Sequence, residues 1–267
     1  MKRIFYLFAS ASIFISACTT NAVTGRKQLS LVSESALQEE AVSQYRSFLS
    51  QNKVVTDNNS RDAEMVRRVG SRIASAITKY YTAQGKGNVL DGYKWEFNLV
   101  DNKEVNAWCM PGGKVVVYTG LLPVTQDEAS LAVVMGHEIA HAVARHGNER
   151  MSQQMEVQMA GTVLSIALQN KSQQTQNIFL QSFGIGSQLG MLKYSRTHES
   201  EADKMGLVFA AMAGYNPNAA IAFWERMAAS GGQKPPELLS THPSDEKRIN
   251  DLKIFMPEAM KYYKKLN

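Results

Sequence analysis

The run VVMGHEIAHAVARHG, residues 133–147, sets two histidines and a glutamate inside an otherwise apolar stretch. Polar groups buried without partners are unfavourable, and buried charges more so, so His137, Glu138 and His141 need something to satisfy them. On a helix, positions i and i+4 differ by about 40° around the axis. His137 and His141 then share a face, one turn apart, and both imidazoles can reach a single Zn²⁺ at about 2.0–2.1 Å. Glu138 lies about 100° from His137, beside such an ion and not on it. A carboxylate there can take a proton from water activated at the metal, which is the logic of H-E-x-x-H. The alternative for the same residues is a pair of histidines hydrogen-bonded within a helix bundle.

A catalytic zinc usually keeps three protein ligands and one open position. His146 does not suit the third place, because on a continuing helix it stands about 140° beyond His141. An extended metzincin-type pattern needs Gly at 144 and His at 147, where this chain has Ala144 and Gly147. The stretch SRTHESEAD, residues 195–203, offers carboxylates instead: Glu199 and Asp203 are spaced i, i+4 and share a helical face. Glu201 lies about 200° from Glu199 and is expected to point elsewhere. His198 is expected at the surface.

H-E-x-x-H followed by E-x-x-A-D resembles peptidase family M48, the gluzincins. That resemblance implies Zn²⁺, one per chain, held by His137, His141 and Glu199, with Glu138 as the catalytic carboxylate. It implies Asp203 as support for the site, which suits the way carboxylates orient ligating histidines. The stretch NAWCMPGGKVVVYTGLL, residues 106–122, is similar to the family's N-A-x-x-x-P-G-G segment. It implies a strand beside the cleft, with Asn106 and Ala107 near substrate; an edge strand can bind an extended peptide through its backbone. THPSDEKR, residues 241–248, resembles the family's T-H-P-x-x-x-x-R segment. It implies either an oxyanion donor at His242 or, as in some periplasmic relatives, a removable fourth zinc ligand. Arg248 is implied to position that loop or the substrate. The long transmembrane helices of the membrane-embedded, prenyl-protein branch are missing, so prenylated substrates are not supported.

The rest of the chain must position these residues. It has 267 residues, 44% hydrophobic and 20% charged, ordinary values for a globular protein with one sizeable core. The net charge of +5 comes from 29 basic and 24 acidic residues, scattered without a basic block; nucleic acid is not an expected partner.

MKRIFYLFASASIFISAC has the layout of a signal peptide, with Lys2 and Arg3 ahead of a short apolar stretch. Its end, ISAC, resembles a bacterial lipobox, which implies cleavage before Cys18 and lipidation there. Residues 1–17 are thus read as a signal peptide, 18–32 as a lipidated tether and 33–267 as the M48-like peptidase domain. Loss of Lys2 and Arg3 lowers the charge from +5 to +3. Cys109 is then left as a lone thiol of undetermined orientation.

Helical spacing runs through Leu37, Ala41, Tyr45 and Phe48, with Ser33 or Ser35 as cap. A second amphipathic helix covers 61–81, with Met65, Val69, Ile73 and Ile77 on one stripe. Residues 93–119 read as strands with a PGG turn. Helical patterns follow at 126–146, 149–169, 177–194, 198–213, 217–230 and 244–264. This order predicts an α+β fold: a mainly helical zincin core with a small β-sheet beside the active-site helix. The expected activity is endopeptidase action on unfolded or misassembled envelope proteins, by a periplasm-facing enzyme anchored by lipid, with the outer membrane as its expected site. The rival is a chaperone-like outer-membrane assembly factor whose peptidase activity is held off.

Overall fold

Two serines start the helical part of the fold. Ser33 accepts from Ala36 N–H and caps α1 (Glu34–Gln51), and Ser60 accepts from Ala63 N–H and caps α2 (Arg61–Ala83). Each satisfies an N–H that has no partner inside its helix. The structure is a computed structural model that describes residues 18–57, 60–159, 195–229, 238, 242 and 246–264. The expected signal peptide, the helix at 177–194 and the second half of that at 149–169 lie outside the described residues. Helix α1 buries Leu37, Ala41 and Tyr45 as its spacing requires. Helix α2 buries Val66, Val69, Ile73 and Ile77; Val66 takes the place expected for Met65, which is only partly buried.

Residues 18–32 are more than a tether. Strands β1 (Cys18–Thr20) and β2 (Lys27–Leu29) pair antiparallel, and the side chains of Asn21 and Gln28 between and within them are buried. Both amides donate to the backbone carbonyl of Ala144, at 2.7 and 2.9 Å. These polar side chains gave no periodic apolar signal in the sequence, which is why the segment read as linker.

A three-stranded sheet has the order β3 (Glu96–Val100), β5 (Lys114–Tyr118), β4 (Ala107–Met110). Strands β4 and β5 form the antiparallel hairpin expected from the PGG turn, and β3 pairs with β5 in parallel. Gly113 has φ +81°, and a Cβ there would meet the Trp95 ring at 2.5 Å, so the turn requires glycine. The alternation along each strand divides the core. Phe97, Leu99, Ala107, Cys109, Val115 and Val117 face the layer that contains α2 and the H-E-x-x-H helix. Trp108, Met110 and Val116 face α1. Cys109 therefore points toward the H-E-x-x-H helix, and burial, then the charge of Glu138, pushes its thiol pKa well up.

After a single helical turn, α3 (Leu122–Thr125), comes α4 (Glu128–Val143). Asp127 caps it by accepting from Ser130 N–H at 2.7 Å. Every residue of α4 from Ser130 to Val143 is buried. The helix ends earlier than its pattern suggested. Arg145 adopts φ +57°, a left-handed conformation uncommon for a non-glycine residue, and α5 (His146–Met159) starts in a new direction. Helix α6 (Arg196–Met212) crosses α4 closely, and α7 (Ala219–Ala229) and α8 (Glu246–Met260) complete the described fold. Among the described residues no helix is long and apolar enough to cross a membrane.

The α4–α6 crossing is a close backbone approach. A Cβ on Gly136 would lie 2.7 Å from the Gly206 carbonyl oxygen, and one on Gly206 would lie 2.7 Å from His137 N. Both obstacles are backbone and cannot rotate away. Gly206→Ala is therefore expected to lower stability by about 1–3 kcal/mol and to weaken metal binding by displacing His137. Thermal unfolding and chelator competition measure the two effects; unchanged values in both would contradict this account of the crossing.

Candidate metal centre

Four buried side chains from three places in the chain converge. His137 and His141 come from α4, Glu199 from the first turn of α6, and His242 from the segment ahead of α8. His137 Nε2 is 3.0 Å from His141 Nε2 and 3.1 Å from His242 Nδ1. His242 Nδ1 is 2.8 Å from Glu199 Oε1, which lies 3.4 Å from His141 Nε2. One ligand atom from each residue lies within 4.8 Å of the other three. Three ring nitrogens and a carboxylate oxygen thus lie close enough together to ligate one metal ion. A divalent cation is the group that satisfies all four, and imidazole with carboxylate is the donor set suited to zinc.

Glu138 flanks this group. Its Oε1 is buried without a hydrogen-bond partner among the described residues, and the nearest opposite group is His242 Nε2 at 3.5 Å. Burial raises its pKa, with His242 and His137 opposing. A carboxylate held this way is ready to take a proton. Burial drives His141 well below the ordinary imidazole value, so it is neutral, the form a metal ligand needs. Burial would raise Glu199, but His242, His141 and Arg248 outweigh it and hold the carboxylate ionised. For His242 burial lowers the pKa, but the Glu199 and Glu138 carboxylates together outweigh it and the net shift is upward.

Asp203 and Arg248 stand behind the group. Asp203 Oδ1 is 3.0 Å from His137 Nδ1, and Arg248 Nη2 donates to the same oxygen at 2.5 Å. Arg248 also pairs with Glu199 at 3.1 Å, donates to the His242 carbonyl at 3.2 Å, and lies 3.6 Å from the centroid of the Trp224 ring. It is buried, and its described contacts hold the His242 segment. Leu238 extends that anchorage: it accepts from His242 N–H at 2.8 Å and donates to the Val105 carbonyl at 3.1 Å. Asn106 and Ala107 sit at the start of β4, an outer strand of the sheet, and both are buried. The Asn106 side-chain oxygen accepts from Ala107 N–H at 2.9 Å.

A second cluster escaped sequence reasoning. His198 is buried, not at the surface; its Nε2 is 2.9 Å from Glu149 Oε2. Glu201 points away from the four-residue group as its helical angle required, but it meets His146 and Arg26 at 2.9 Å each. Arg26 also donates to both oxygens of Glu149, at 2.8 and 2.6 Å. These residues come from three separate parts of the chain, two helices and the N-terminal hairpin, and although His146 with Glu149 and His198 with Glu201 are each spaced i, i+3, nothing local shows that the three parts meet. Burial opposes ionisation of Glu149, but the bonds from Arg26 and His198 dominate and lower its pKa from 4.5 to about 2.

A helix bearing two histidines and an intervening glutamate, crossed by a second helix that adds a carboxylate, defines a zincin-type centre. Residues 60–255 match peptidase family M48, and the chain belongs to that family. It is 40% identical over 172 residues to the mitochondrial metalloendopeptidase OMA1 of Schizosaccharomyces pombe, covering 64% of this chain and 49% of the relative. It is 33% identical over 184 residues to the beta-barrel assembly-enhancing protease of Yersinia pestis, covering 66% and 38%. Against the Escherichia coli protein of that name it is 34% identical over 162 residues, covering 59% and 33%. The chain spans about half or less of the length of these relatives.

Glu149 sets an acid limit on stability. Its folded pKa of about 2 lies below 4.5, so its ionised form stabilises the fold above pH 4.5, and that contribution is lost as pH falls toward 2. Glu149→Gln should lower the unfolding midpoint at neutral pH and flatten its decline between these values. Thermal melts across that range check both.

Proposed function

We propose that this chain is a zinc-dependent endopeptidase of the bacterial envelope, acting on misfolded or misassembled envelope proteins. The observation that carries the catalytic part is the convergence of His137, His141 and Glu199 with Glu138 held beside them. A zinc ion held by these three ligands would supply Lewis-acid polarisation of the scissile carbonyl and lower the pKa of water. Glu138 takes the proton of the attacking water and delivers it to the leaving amine, a role its buried, raised carboxyl suits. Asp203 holds His137 by its second nitrogen, and Arg248 fixes both Asp203 and the His242 segment. Asn106 and Ala107 align an extended substrate along β4.

The envelope setting is supported by the signal-like N-terminus, by the lipobox-like ISAC before Cys18, and by the likeness to the proteases named for beta-barrel assembly. On this reading Cys18 carries lipid, and the enzyme faces the periplasm from the outer membrane. The mitochondrial relatives carry the same type of domain in another compartment, so the setting rests on the N-terminus more than on the site.

One observation favours a second reading, an assembly factor with its peptidase activity held off. His242 Nδ1 lies within the ligand group, where a fourth protein ligand would close the position that substrate needs.

Glu138→Gln should reduce cleavage of an unfolded protein by about 10²–10⁴-fold while leaving metal content unchanged, and a chelator should abolish it. Cleavage that survives both the substitution and complete metal removal would overturn the mechanism. His242→Ala separates two roles. A rise in cleavage is expected if His242 is a removable ligand, whereas a fall of about 10²–10³-fold marks an oxyanion donor.

A further inference from the structure

The two histidines of α4 are each supported through the ring nitrogen that does not face the ligand group, but by different means. His137 turns Nδ1 to Asp203 at 3.0 Å, and Asp203 is held by Arg248. His141 is supported differently. Its Nδ1 meets Nδ1 of His146 at 2.9 Å, and Nε2 of His146 meets Glu201 Oε2 at 2.9 Å. Arg26 then binds Glu201 through Nε at 2.9 Å and Glu149 through its two terminal nitrogens. His198 stacks on the His146 ring at 4.4 Å between centroids and 20° between planes.

The donors and acceptors allow one assignment for neutral rings. Nε2 of His141 faces the ligand group and must be bare to hold a cation. Its proton is then on Nδ1 and donates to Nδ1 of His146. That nitrogen must accept, which places the proton of His146 on Nε2, aimed at the Glu201 carboxylate. Every step has a donor facing an acceptor. In its effect the chain is a carboxylate support with one imidazole inserted.

The backbone break makes this possible. On an unbroken helix His146 would point about 140° away from His141. The left-handed turn at Arg145 brings it back, and Asn21 and Gln28 of the N-terminal hairpin bind the Ala144 carbonyl at that turn.

We propose that His146 and Glu201 are positioning residues of the metal centre, holding His141 in its ligand orientation through a His–His–carboxylate chain that Arg26 of the N-terminal hairpin closes. The proposal rests on the metallopeptidase reading. It makes residues 18–32 an outer layer of the metal site as well as the route to the N-terminus.

The test is on metal binding by the full chain and does not depend on cleavage. Zinc dissociation constants are measured by competition with a chromogenic chelator, the cobalt-loaded protein is examined by visible absorption, and the metal-free form is melted. His146→Ala and Glu201→Gln are expected to weaken zinc binding about 10–100-fold and to shift the cobalt spectrum, with the metal-free midpoint close to that of the parent chain. Unchanged affinity and spectrum in either folded variant overturn the proposal. Weakened binding confined to variants whose metal-free form has lost its cooperative transition also overturns it, since the role is then structural. Should His146→Ala fail to fold, Glu201→Gln, which keeps the size of the side chain, decides alone. A parent chain that binds no zinc overturns the metallopeptidase reading, and this proposal with it.

Discussion

The site depends on two helices meeting without side chains between them. At the crossing of α4 and α6, Gly136 and Gly206 bring the backbones so near that a single Cβ on either would strike the other helix. Only at that separation do the short side chains of His137, His141 and Glu199 meet at one point. The sheet behind α4 fixes its other side, because Ala107, Cys109, Val115 and Val117 form one core with it. The ligand group is thus held between a rigid sheet and a crossing helix, the support that a geometrically demanding metal site requires.

Burial at such a place concentrates charge, and the chain offsets it by pairing the carboxylates around the site with a cation or imidazole. Asp203 lies between His137 and Arg248, Glu199 between Arg248 and the histidines, and Glu201 between His146 and Arg26. At Asp203 and Glu199, the more deeply buried of the three, removing one partner leaves a buried charge uncompensated, which is far more damaging than the pair's net contribution. Two arginines from opposite ends of the chain, Arg26 and Arg248, therefore close the two sides of one centre. Glu138 and Glu199 each keep one buried oxygen without a hydrogen bond among the described residues, and Glu138 is the group proposed to move a proton.

His242 is anchored through its backbone while its ring faces the ligand group. Its carbonyl is held by Arg248 and its N–H by Leu238, while its ring reaches Glu199 with one nitrogen and approaches Glu138 with the other. The ring lies where it can close the ligand set. The two readings of the protein, a working peptidase and one held off, differ by the placement of that imidazole.

Much of this was legible in the sequence because it is local. Helical period alone puts His137 with His141 and Glu199 with Asp203, cap chemistry marks Ser33, and the PGG turn marks the β4–β5 hairpin. The α+β order of elements follows from the same periodicities. What the sequence could not carry was the meeting of distant segments and the break that redirects one of them. A continuing helical pattern hid the left-handed turn at Arg145, so His146 looked misplaced when it stands directly behind His141. Asn21, Arg26 and Gln28 looked like linker because polar side chains that dock on a backbone carbonyl or a buried carboxylate leave no periodic trace. Residue type and spacing determined what chemistry the chain can do. The tertiary structure decided which groups share the site, because convergence across a helix crossing is set by backbone separation and not by distance along the chain.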